Sequence, residues 1–154
     1  TAVFPFGFLH DRKYGSRLER YESTHWYYRG ITGLILSFTD DTVFGVEATR
    51  RMGGFAELFA RRPDASSTAG KETTLWTVKV PRDSIQALLP AGPTLYVAGP
   101  AKDGGVLTSY SAKDGSKLAE VLFDDAPVFD GLAAAGARLY VSTQSGKVVC
   151  LGTK

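Results

Sequence analysis

Two stretches of this chain carry nearly the same words. Ala91-Gly92-Pro93-Thr94-Leu95-Tyr96-Val97 lies over Ala135-Gly136-Ala137-Arg138-Leu139-Tyr140-Val141 at an offset of 44 residues, with Leu-Tyr-Val in register. Gly105-Val106-Leu107-Thr108-Ser109-Tyr110 then answers to Gly146-Lys147-Val148-Val149-Cys150-Leu151 at an offset of 41, the intervening turn being three residues shorter. Each copy reads turn, strand, turn, strand: β-branched and aromatic residues between Gly- and Pro-bearing turns. A repeat of this length constrains a fold strongly, because each unit must bury its apolar face against a neighbour of its own kind.

A weaker third copy stands about 52 residues upstream of the Leu-Tyr-Val at Leu95, with Gly33 to Phe38 as one strand, Thr39-Asp40-Asp41 as the turn and Thr42 to Ala48 as the next strand. The extra length falls in an insertion at 49–74. There Arg50-Arg51-Met52-Gly53-Gly54 leads into Phe55 to Arg62, predicted as a short helix, and into the loop Pro63-Asp64-Ala65-Ser66-Ser67. In Leu75 to Pro81 the residues Leu75, Thr77 and Lys79 alternate with Trp76, Val78 and Val80, the period-2 pattern of a half-buried strand, and Lys117 to Phe123 plays the same part in the next unit. Units of roughly 40 to 50 residues with four short antiparallel strands are the signature of propeller blades. The expected class is therefore all-β, a partial β-propeller of two to three four-stranded blades, with a helical or loop insertion near 50–70. Its parts are an aromatic-rich segment at 1–30, a first blade at 31–81, a second at 84–123 and a third, partial blade at 127–152. Closed propellers have about 4 to 8 blades, so the remaining blades are expected on another polypeptide or on a removed precursor segment. Thr1 and the solitary Met52 read as marks of a processed piece, with the missing blades before Thr1.

Composition excludes several partner classes. The chain has 154 residues, 44% hydrophobic, and a net charge of +2, far from a disordered polymer. No apolar run reaches the roughly 18 to 20 residues of a bilayer helix, so no membrane span is expected. Basic and acidic residues balance in both halves, 9 against 7 in residues 1–62 and 9 against 9 in the rest, which excludes the dense positive field that nucleic acid selects. Cys150 stands alone in an apolar run and reads as a small buried hydrophobe.

The stretch from Ala126-Pro127-Val128-Phe129-Asp130-Gly131 through Arg138-Leu139-Tyr140-Val141-Ser142-Thr143 to Ser145-Gly146-Lys147-Val148-Val149-Cys150-Leu151-Gly152 resembles the C-terminal blades of bacterial PQQ-binding-like, quinoprotein-type β-propeller repeat proteins. Leu95 to Pro100 and Ser111 to Glu120 look like the preceding blade. That family's repeat usually reads Ala-x-Asp-x-x-Thr-Gly-x-x-x-Trp, its tryptophan docking between blades. Here Ser111, Lys113, Asp114, Gly115 and Ser116 are followed by Val121 and Phe123 without a tryptophan, and Trp76 is the one indole on a strand of this type. The resemblance implies a secreted or periplasmic bacterial protein. It also carries, as an alternative, part of a quinoprotein-like oxidoreductase with PQQ and calcium at its axis.

Candidate ligand-binding residues cluster in the front segment, where His10, Asp11, His25, Trp26, Tyr27 and Arg29 bring together both histidines and a run of aromatics. Imidazole and carboxylate suit acid-base work, and aromatic faces suit sugar rings, which makes a glycan the alternative partner to a protein. The histidines are 15 apart, without metal-ligand spacing, and no Gly-x-Ser-x-Gly elbow or phosphate loop occurs. No catalytic residue, no metal site and no cofactor are expected, and Trp76, Tyr96, Tyr140 and Cys150 are assigned structural roles. The sequence thus points to a noncatalytic propeller segment that acts as a scaffold or interaction surface.

Overall fold

The structure, a computed structural model, describes residues 26–28, 31–47, 54–63, 72–81 and 84–152. Every regular element among them is a strand. Trp26–Tyr28 (β1) and Ile31–Gly33 (β2) pair as a small hairpin. Ile35–Phe38 (β3), Val43–Glu47 (β4), Phe55–Pro63 (β5) and Glu72–Pro81 (β6) form the first sheet, each strand antiparallel to the next. Ala87–Ala91 (β7), Thr94–Ala101 (β8), Gly104–Ser111 (β9) and Lys117–Phe123 (β10) form the second in the same up-and-down order. Pro127–Ala135 (β11), Arg138–Thr143 (β12) and Val148–Gly152 (β13) form the third, which has three strands.

The sheets stack in chain order. Ile31 of the hairpin, with Tyr28, packs on Val43, Phe59, Leu36 and Phe38, covering one face of the first sheet. The opposite face carries Ile35, Phe44, Val46, Leu58 and Trp76, and meets Leu88, Leu95, Val97 and Tyr110 of the second sheet. The far face of the second sheet, with Ala87, Ala98 and Leu107, meets Leu132, Leu139 and Leu151 of the third. Strand β7 touches both β3 and β11, so the sheets share a common line along their first strands, as propeller blades do. The architecture is all-β and partial-propeller-like, without ring closure among the described residues.

Two local expectations are corrected. Phe55 to Arg62 forms no helix: it is β5, the third strand of the first sheet, paired on both sides. The cause is burial on both faces. Ala56, Leu58 and Ala60 face the second sheet while Phe59 faces the hairpin, and such a near-continuous apolar run cannot be told from a helix by periodicity alone. The segment Gly33 to Phe38, expected as one strand, breaks at Leu34 and serves two sheets, Gly33 ending β2 and Ile35 opening β3. The Leu34 amide donates to the Val46 carbonyl at 2.7 Å and anchors the break.

A candidate site between the second and third sheets

Antiparallel partners lie on one face of a sheet, so the registers read as rows that can be compared between units. On the first sheet, Ser37, Phe44, Ala60 and Trp76 make one row. Its neighbour holds Ile35, Val46, Leu58 and Val78, and beyond them Ala56 pairs with Val80. On the second sheet the corresponding rows are Leu89, Tyr96, Ser109, Ala119, then Ala87, Ala98, Leu107, Val121, then Gly105 with Phe123. The two sheets also share a bulge: the β5–β6 register slips between Ala60 and Arg61, passing over Leu75, and the β9–β10 register slips between Lys117 and Ala119, passing over Leu118. Leu75-Trp76 and Leu118-Ala119 therefore occupy the same place in successive units, and the position that is indole in one is a methyl in the next.

Trp76 fills the first interface. Its Nε1–H donates to the Ala112 carbonyl in the β9–β10 turn at 2.9 Å, and its ring lies 6.1 Å from that of Phe44. Gly115 in that turn has φ +74, and a Cβ there would come within 2.7 Å of the indole. Only glycine suits both the conformation and the contact. The Asp114 carboxylate holds the turn by accepting from the Ser116 amide at 3.0 Å and hydroxyl at 2.7 Å, which keeps it below the usual carboxylate range.

The second interface has no such ring. Between the row Tyr96, Ser109, Ala119 and Ala134, Leu139 and Leu151 lies an open cleft of about 690 Å3, its end formed by the turn Gly136-Ala137-Arg138. The third sheet has three strands, so no fourth strand faces β10 among the described residues, and the cleft opens to solvent at the exposed Ala119.

The charged side chains of the second sheet lie elsewhere. On the face toward the first sheet, Glu120 accepts from Lys117 Nζ at 2.7 Å and from the buried Thr108 hydroxyl at 3.3 Å. The Lys117 hydrogen bond lowers the Glu120 carboxyl and raises the ammonium, while burial pushes the neighbouring Tyr110 phenol up. The Asp125 carboxylate accepts from the Ser145 amide at 3.0 Å and from the Ser145 hydroxyl, and these bonds fasten the β12–β13 turn. Both groups act as clamps. Among the described residues no group of three or more His, Cys, Asp and Glu could hold a metal ion.

Of the residues singled out from sequence, His10, Asp11, His25 and Arg29 lie outside the described residues. Trp26 is exposed, and Tyr27 sits opposite Thr32 in the hairpin. Their neighbour Tyr28 stacks on Phe38, centroids 4.8 Å apart, which takes one face of its ring into packing. Tyr96 lines the cleft, and Tyr140, its register equivalent in the third sheet, lies on that sheet's outward face opposite Cys150. Cys150 is not the buried hydrophobe expected: it is exposed, because alternation along β13 gives the covered face to Val149 and Leu151. Tyr96 was assigned a structural role from sequence, but its row with Ser109 and Ala119 can be seen only from the ladder register.

No family model matches the chain, and no curated protein matches it.

Proposed function

We propose that this chain is a noncatalytic scaffold segment of a β-propeller of the PQQ-like repeat type, whose third sheet receives further sheets of the same grammar from its own precursor or from a partner chain. The observation that supports this most is the free side of β13. Three strands stand where the first and second sheets have four, and the outer edge of β13 has no pairing strand among the described residues. An unpaired edge is a template for strand addition. The outward face beside it carries Tyr140, Cys150 and Val148, the last 63% exposed, in the register positions that on the earlier sheets face the next sheet. The described carboxylates that accept hydrogen bonds serve turns and ion pairs, which agrees with a structural role.

The test is association. Sedimentation velocity of the purified chain, with denaturing mass analysis of material from its native source, is expected to show self-association or a companion chain. Val148→Lys with Cys150→Lys is expected to abolish the association while leaving the strand circular dichroism unchanged. A stable monomer with no companion chain in native material overturns the reading.

A further inference from the structure

We propose that the outward face of the third sheet packs against the same face of a second copy of the chain, an inference that rests on the scaffold reading and names its partner. Two chains then join open end to open end about a two-fold axis. In every unit an aromatic residue on the second strand stands opposite a small residue on the third: Phe44 with Ala60, Tyr96 with Ser109, Tyr140 with Cys150. Phe44 and Ala60 are buried under the second sheet, and Tyr96 packs against Leu139 and Leu151 of the third. Tyr140 and Cys150 hold the same register place at the open end, where Cys150 is exposed. The two ends of the stack differ. At the front, Ile31 of the hairpin packs over the buried Val43 and Phe59, whereas the outward face of the third sheet has no such cover among the described residues. Head-to-tail growth needs two complementary surfaces, so a stack with one open end associates isologously and closes at two copies.

The face is self-complementary in shape and charge. Its ladders place Ala133 and Cys150 on either side of Tyr140, Ala135 and Gly152 on either side of Arg138, and Val148 opposite Ser142. A ring between two small residues makes a ridge flanked by hollows, and an offset of one strand seats each copy's ridge in the other's hollow. Arg138, at one end of β12, is the only charged residue of this face within the ladders, so no like charges meet across its centre. Burial of the Tyr140 ring drives the contact. Three strands about 4.8 Å apart and about 20 Å long make a small face, in the class of weak, reversible interfaces.

Cys150 is the chain's one cysteine and reports the geometry without mutation. Stacked sheets sit about 10 Å apart, so a two-fold contact brings the two Cys150 thiols within reach of a short bifunctional maleimide, while a head-to-tail contact leaves them apart. The full chain is followed across a concentration series by sedimentation velocity and by maleimide cross-linking. A monomer–dimer equilibrium with no larger species, and a covalent dimer joined through Cys150, are expected. Tyr140→Lys is expected to weaken dimerisation by about tenfold or more. Leu122→Ser is expected to leave it unchanged, since Leu122 pairs with Val106 in the second sheet, away from this face. If Tyr140→Lys does not fold, Ala133→Lys is held to the same criterion. Dimers that do not cross-link at Cys150, growth beyond two copies, or equal weakening in Leu122→Ser overturns the proposal and leaves the scaffold reading standing. A companion chain in native material without self-association does the same. A monomer with no companion chain overturns both.

Discussion

Trp76 and Asp125 show what single side chains contribute between units. Trp76 is nearly buried and links two sheets through both its ring and its N–H. Trp76→Ala is expected to cost about 3 to 5 kcal/mol, the range for large-to-small changes at packed aromatic sites. Trp76→Phe is expected to cost less, since it keeps a ring but leaves the Ala112 carbonyl without its indole donor. Urea midpoints of the two variants separate the packing contribution from the hydrogen bond. Asp125 works through charge. Its carboxyl is held below the ordinary value of 3.8, chiefly by the Ser145 hydroxyl and then by that of Thr143. A depressed carboxyl stabilises the fold above its unfolded value and loses that contribution as pH falls through the folded one. Asp125→Asn is therefore expected to be less stable than the parent at neutral pH, and the gap is expected to close as pH drops below 3.8. Paired urea titrations along the pH series measure it.

Elements in this chain are decided by how many faces they bury. Strand β6 has one face on the second sheet and reads cleanly as alternation: Trp76 and Val80 buried, Leu75, Thr77 and Lys79 exposed. Strand β5 buries both faces, and its run Phe55-Ala56-Glu57-Leu58-Phe59-Ala60 has no single period to read. The same logic explains β10, an edge strand on which only Phe123 is partly covered. Leu118, the bulge residue, is 56% exposed there. Leu118→Ser is expected to change stability by no more than about 0.5 kcal/mol, as surface substitutions away from special features do. A thermal melt of the variant against its parent checks this, and a large loss would mean that Leu118 is covered in solution.

The molecule is a series of interfaces filled to different degrees. The hairpin and first sheet close over Phe59, the first and second sheets close over Trp76, and the second and third leave an open cleft. In a stacked array stability is close to a sum of units and nearest-neighbour contacts, so the least filled contact opens first. Amides of β12 are expected to exchange faster than those of β8 under native conditions. Hydrogen exchange read by mass spectrometry measures this, and equal protection would mean that the array unfolds as one unit.

Legibility follows the same lines. The all-β class and the serial sheets could be read from Leu95-Tyr96-Val97 and Leu139-Tyr140-Val141, because a repeat carries its spacing in the chain itself. Helix at Phe55 was a misreading that a doubly buried strand invites. Cys150 was another, since an apolar run does not say which of its alternating faces has a neighbour. By itself the sequence determined the repeat, the turns and the alternation, all properties of residues near one another along the chain. Only the tertiary structure decided which faces are covered, that Trp76 reaches a turn 36 residues on, and that Ala119, in the register place of Trp76, is exposed. Those depend on register across ladders, and register is set by partners distant in sequence.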